Sequence, residues 1–302
     1  MLLLTIWPIF GLICLGFALA RTGIPGTGFW PMAERINYVL LFPALLVVNL
    51  AGAPLGDPSI LRLGGATLAT ITLASAVFAL AAWPVRPAAA RFGPALQGIV
   101  RFNTYLGLAI VASVLGDGAL GAAAVLLAVA VPLVNVLSVM ALSYDGHSRG
   151  IVALLRSIVT NPLIVGCAVG IAISLAGTGL PWGMDSFLGF LGQASLPLGL
   201  LCVGAALRPR ALGREIRVLA GISVLRLLAM PLLAFGMALI FGLGADEAAI
   251  LVIFAAIPTA STAYVLTQQM GGDGRLMAGI VTAQTLAALF TIPFVLGLLG
   301  IG

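Results

Sequence analysis

The sequence predicts an all-α polytopic membrane protein: ten transmembrane helices arranged as two inverted five-helix repeats. Three observations carry this expectation: apolar composition, an internal repeat and a one-sided distribution of arginine. Of the 302 residues, 62% are hydrophobic and 8% charged, and mean hydropathy is +1.22. Soluble domains carry about 25% charged residues. A chain this apolar cannot clothe itself in polar surface, so its exterior faces lipid.

Crossing about 30 Å of hydrocarbon takes about 20 apolar helical residues. Cutting at charges, prolines and glycine clusters places spans at 3–20, 36–54, 63–84, 95–115, 119–142, 159–176, 184–207, 217–241, 247–270 and 275–299. The fourth is the weakest, because Arg101 and Asp117 leave only residues 102–116 uncharged. The first ends in Ala18-Leu19-Ala20, which resembles a signal-peptidase site. No basic segment precedes it and the repeat copies it later, so it reads as a retained helix.

Leu19-Ala-Arg-Thr-Gly-Ile-Pro25 returns as Leu175-Ala-Gly-Thr-Gly-Leu-Pro181, displaced by 156 positions. Gly116-Asp-Gly-Ala-Leu120 returns as Gly272-Asp-Gly-Arg-Leu276 at the same displacement. The chain is thus expected to hold repeats at 1–144 and 157–302, joined by a connecting loop at 145–156. Five spans per repeat deliver the second copy to the opposite side of the membrane, hence inverted. All 14 basic residues are arginine. Twelve fall in the connections after odd spans: Arg21, Arg35, Arg86, Arg91, Arg101, Arg149, Arg156, Arg208, Arg210, Arg214, Arg217 and Arg275. Arg62 opens the third span and Arg226 lies inside the eighth. The odd connections, including that with His147, are therefore expected in the cytoplasm and both termini outside. The net charge of +5 orients helices and implies no nucleic-acid partner.

Inverted-repeat transporters bind substrate near the midplane, where paired helices are interrupted. The ninth span carries Ile257-Pro-Thr-Ala-Ser-Thr-Ala-Tyr264, and its proline removes a helical hydrogen bond. At the shared displacement Asn103 maps to Thr259, which sets Arg101 to Gly107 of the fourth span against this break. That segment has no proline, only Gly107. Asn103, Thr104, Tyr105, Gly107, Pro258, Thr259, Ser261 and Thr262 are the candidate substrate-binding residues. The competing reading is ordinary interhelical polar contact. Half-helix N-termini, with their positive dipole ends, suit an anion. Arg226 reads equally as a substrate contact and as a structural partner of unwound carbonyls. Asn37, Asn49, Asn135, Gln193, Ser195, Gln268, Gln269 and Gln284 read as packing contacts. No acid falls mid-span; Asp117 and Asp273 read as turn or capping residues.

Enzyme chemistry finds little support. Asp145 and Asp273 lack the intramembrane aspartyl-protease pattern, since Met270 replaces its first glycine. His147 lies in a loop and His-Glu-x-x-His is absent. Cys14, Cys167 and Cys202 sit in apolar runs, unlike disulfides or metal ligands. No cofactor is expected. A channel of the same fold remains open beside a carrier.

Asn103-Thr-Tyr-Leu-Gly-Leu108, Asn161-Pro162, Pro258 with Ala263-Tyr-Val-Leu266, and Gln268-Gln-Met-Gly-Gly-Asp273 resemble the auxin efflux carrier family over essentially the whole chain. The resemblance implies a secondary transporter of small organic anions, as in the malonate and malate permeases of bacteria or the plant auxin exporters. Its fold is similar to that of sodium/proton antiporters and bile-acid symporters, so a sodium-coupled symporter is the further alternative. It also implies elevator-type movement of spans 3–5 and 8–10 against a scaffold of spans 1, 2, 6 and 7. A homodimer through scaffold spans 2 and 7, and residence in the bacterial inner membrane, follow from the same resemblance. The family often has a proline at both crossings; only Pro258 stands here.

Overall fold

The computed structural model describes residues 2–26, 28–53, 55–143, 159–213 and 215–301. The expected connecting loop, with Asp145, His147, Arg149 and Arg156, lies outside the described residues, as do Arg214 and Gly302. Every regular element among the described residues is helical.

The helices are α1 (Leu2–Thr22), α2 (Phe29–Ala51), α3 (Pro58–Ala82), α4 (Ala89–Val100), α5 (Thr104–Leu115), α6 (Leu120–Ser143), α7 (Pro162–Ala176), α8 (Met184–Ala206), α9 (Ile216–Ile240), α10 (Ala245–Ala256), α11 (Thr262–Gln269) and α12 (Gly274–Leu298). Among the described residues, eight helical stretches are long and apolar enough to cross a membrane, with α4 and α5 counted as one stretch. The shorter α7 and the α10–α11 pair make up the rest. Local chemistry explains the ends of α7. Asn161 Oδ1 accepts from the Leu163 N–H, Pro162 supplies the first helical φ, and Gly177 turns left-handed at φ +65° to close it.

Two helices begin at least six residues before the charge-cut spans. α2 starts at Phe29 and so contains Glu34 and Arg35; α4 starts at Ala89 and contains Arg91. Charged side chains there line clefts or pair with one another, so they do not end the helices.

Two bundles emerge from the packing. α1, α2, α7 and α8 pack mainly among themselves, and α3–α6 pack with α9–α12. Glycine sets the close approaches in the first bundle, as expected where lipid supplies no hydrophobic drive between helices. A Cβ at Gly16 would lie 2.0 Å from the Leu201 carbonyl oxygen, and one at Gly204 1.9 Å from that of Ile13. The π turn at Asn37–Leu41 in α2 frees Asn37 to pair reciprocally with Ser195 of α8, through its Nδ2 to the Ser195 carbonyl and its Oδ1 from the Ser195 hydroxyl.

In the second bundle the Asp273 N–H donates to the Ala90 carbonyl at 2.7 Å. Arg91 pairs with Glu215 and lies 3.7 Å from Asp273. These contacts gather the entries to α4, α9 and α12 at one end. The opposite end is tied by Arg62 Nη1 donating to the Gly242 carbonyl at 3.0 Å, and by Ser174 Oγ to that of Ala53 at 2.8 Å.

Candidate substrate-binding site

Two breaks in regular helix meet inside the second bundle. The first halves, α4 and α10, run from 89 to 100 and from 245 to 256, a displacement of 156 positions at both ends. Each closes on an extended residue: Arg101 at φ −78°, ψ 151° and Ile257 at φ −77°, ψ 153°. The fourth span therefore breaks at Arg101–Asn103 without a proline. Gly107, a candidate site residue near the expected break, lies inside α5. A Cβ there would fall 2.6 Å from Phe254, so this glycine serves close packing of α5 on α10 and stands apart from the cleft.

Unwound backbone in a membrane must be satisfied by protein. Here Arg226, in the π turn Leu225–Ala229 of α9, donates Nε to the Ile257 carbonyl at 2.8 Å, Nη1 to Ile99 at 3.0 Å and Nη2 to Phe254 at 2.7 Å. It thus holds the C-terminal ends of α4 and α10, where two negative dipole ends converge. The residue is 1% exposed and its guanidinium is committed to carbonyls. Of the two roles the sequence left open for Arg226, these bonds match that of a structural partner of unwound carbonyls. Thr259 is likewise spent: its N–H donates to Gln284 Oε1 at 2.9 Å and its hydroxyl to the Gly98 carbonyl at 3.0 Å. Gln284 Nε2 donates to the same carbonyl at 2.7 Å. Pro258 is buried, and its carbonyl accepts from the Asn103 N–H at 2.8 Å. Both residues support the crossing and leave the cleft to their neighbours.

The other ends of the breaks face a cleft. An inner pocket is lined by Asn103, Thr104, Tyr105, Ser261 and Thr262, together with Arg101. It shares Tyr38, Arg101, Asn135 and Thr262 with a wider vestibule, which reaches Arg35, Asn161 and Met270. The vestibule therefore opens at the end where Asp273 meets Ala90. The N-terminal ends of α5 and α11 both point to the inner pocket, bringing two positive dipole ends together.

Asn103 has two roles. Its Oδ1 caps α5 by accepting from the Leu106 N–H at 3.2 Å, and its Nδ2 is buried without a protein partner. A buried donor left unpaired costs on the order of 1–3 kcal/mol, so an acceptor supplied by a ligand there is favoured. Arg101 Nη1 donates to Asn135 Oδ1 at 2.9 Å, while Nη2 reaches Thr262 Oγ1 at 3.5 Å. Among the described residues no carboxylate lies within ion-pair distance of Arg101. Sequence reading placed Arg101 with the loop arginines and missed it as a site residue; its register with Ile257 was the available signal. Glu34 was missed for the same reason. It lines the vestibule and accepts from the Ser261 hydroxyl at 3.0 Å.

The model of the family described as "Membrane transport protein" matches residues 147–296. Over this second half the chain resembles an auxin efflux carrier-like membrane transport family. It is also similar to an uncharacterized transporter of Methanothermobacter thermautotrophicus, with 24% identity over 294 residues, 96% of this chain and 95% of that one. In a chain similar to membrane transport proteins, a pocket between two helix breaks is where a solute would be held. Its lining is cationic and rich in donors.

Proposed function

We propose that this transporter carries small organic anions, carboxylates such as malonate, malate or auxin-like acids, across a bacterial inner membrane by elevator-type alternating access. One observation carries the substrate class: Arg101 and the unpaired Asn103 Nδ2 share a pocket with two half-helix N-termini. A carboxylate offers two oxygens to such donors, and charge-assisted bonds of this kind are about twice as strong as neutral ones.

The topology of this reading is ten spans in two inverted repeats, 1–144 and 157–302, with α4–α5 and α10–α11 as the fourth and ninth. The matched boundaries of the two breaks support the repeat. The first bundle serves as scaffold and the second, holding both breaks, as the moving part. Apolar contacts such as Phe42 on Tyr105, with ring centroids 5.0 Å apart, join the two and suit sliding.

The test is uptake and counterflow of radiolabelled malonate, malate and indole-3-acetate in proteoliposomes. Saturable exchange of at least one is expected, with Arg101→Gln weakening apparent affinity about tenfold or more. Folded protein that exchanges none of them would refute the reading.

A further inference from the structure

We propose that Glu34 is a proton-binding site, and that it takes up a proton together with each organic anion bound at Arg101 and Asn103. The inference rests on the anion-carrier reading above and names its coupling. Glu34 is half-buried in α2 and accepts from the Ser261 hydroxyl at 3.0 Å. Ser261 itself lines the inner pocket at the start of α11. Glu34 lines the vestibule that holds Arg101, and also a second cleft shared with Cys202, Arg208 and Tyr264. It is the one acid lining these clefts among the described residues. The other titratable groups facing it are Tyr38 on its own helix, Tyr105 of α5, Cys202 of α8 and Tyr264 of α11. Arg35 and Arg208 stand exposed at the mouths, where water screens them.

Charge balance gives the site its logic. Empty, the cleft holds Arg101 as a cation and Glu34 as an anion. Loaded with a monovalent carboxylate and a proton on Glu34, it is again neutral. Either partly loaded state carries a net charge, which is costly to move through a low-dielectric barrier. Two anions in one cleft also disfavour each other, so anion and proton each strengthen binding of the other. The proton comes from water on the loading side and returns to water on release. Protonation also weakens the charge-assisted tie from Ser261, which crosses from the second bundle to the first. A loaded carrier is thereby freed to slide. Among the proposed substrates the scheme fits those with one net negative charge, such as an auxin-like acid, since a dianion such as malonate would leave the loaded cleft charged.

The experiment measures proton uptake on anion binding, using purified full-length protein in weakly buffered detergent near pH 7.5, where carboxylates are ionised. Indole-3-acetate and malonate are the probes. Wild type is expected to take up about one proton per indole-3-acetate bound, and Glu34→Gln to bind it without proton uptake. Binding to wild type without proton uptake, or equal uptake in Glu34→Gln, overturns the inference and leaves the carrier reading standing. If folded wild type binds neither anion, the carrier reading falls and this inference with it. Should Glu34→Gln fail to fold, infrared difference spectra of wild type decide the matter. A carboxylic-acid C=O band gained on adding indole-3-acetate supports the site, and its absence overturns it.

Discussion

The backbone N–H of Asn103 donates to the carbonyl oxygen of Pro258 at 2.8 Å, so the gap in one broken helix is bonded to the gap in the other. Around that bond the helix ends are sorted by polarity. The C-terminal ends of α4 and α10 turn to Arg226, and the N-terminal ends of α5 and α11 turn to the cleft. A buried cation thereby satisfies the negative ends, and the positive ends are left for an anion.

Asn103 separates structure from binding. Asn103→Ala removes the cap on Leu106, a loss of about 0.5–2 kcal/mol, but also relieves the buried unpaired donor, so its stability should change little while exchange is abolished. Asn103→Asp retains a capping oxygen but sets an anion beside Arg101. It should keep its thermal stability in detergent and still fail in counterflow. Normal exchange by the Asp variant would remove Asn103 from the substrate contacts.

Arg226→Met should behave in the opposite way. Three buried carbonyls lose their donor, which costs on the order of 3 kcal/mol or more. Lysine cannot reproduce the planar fork, so Arg226→Lys should rescue only part of the loss. The fraction that remains folded should bind substrate with wild-type affinity, since the guanidinium does not reach the cleft. A thermal melt and a binding isotherm on the same sample check both halves. Weakened binding at unchanged melting temperature would restore Arg226 to the site.

How much of this was legible in the sequence depends on what each residue meets. Pro258 announced the ninth break because proline acts on its own helix, whatever surrounds it. The fourth break was expected only by register with the ninth, with no proline and only Gly107 nearby to mark it. Its causes, Arg226 on Ile99 and Pro258 on Asn103, come from distant chain and leave no local mark. Cutting spans at charges assumes that charges end helices. That holds where a helix leaves the membrane and fails where its wall faces a cleft, which is why Glu34 and Arg101 were set among the loops. Polar residues read as packing contacts did become such contacts in Asn37, Ser195 and Gln284, while Asn135 holds the guanidinium of Arg101.

The proposed orientation puts the end that holds Arg91, Glu215 and Asp273 in the cytoplasm. Single cysteines placed at Arg86 and Arg275, in a chain lacking Cys14, Cys167 and Cys202, should react with impermeant maleimide only after the cells are opened. Cysteines at Asp57 and Ile301 should react in intact cells. Labelling of Arg86→Cys and Asp57→Cys from the same side would contradict the inverted arrangement, because α3 is 25 residues long and spans about 37 Å between them.

Pro258 gives the sharpest test of what breaks the ninth span. If proline alone prevented a continuous helix, Pro258→Ala would restore an N–H, straighten the span and stop exchange. The fourth span argues otherwise, since Arg101–Asn103 adopts the same extended exit without a proline. At the ninth break, Arg226 holds the Ile257 carbonyl, Gln284 holds the Thr259 N–H, and Asn103 holds the Pro258 carbonyl. A straight helix would have to give up all three bonds to gain one or two. Each bond left unmade inside the bundle costs about 1–3 kcal/mol, so the break should survive the substitution. Pro258→Ala is therefore expected to exchange substrate within about threefold of wild type and to change stability by less than about 1 kcal/mol. Gln284→Leu should be worse, losing about 1–3 kcal/mol, because it strands the Thr259 N–H and takes one donor from Gly98. Counterflow and melting temperature for the two variants decide between the explanations. Loss of exchange in Pro258→Ala together with a higher melting temperature would show that the proline, and not the surrounding bonds, keeps the helix open.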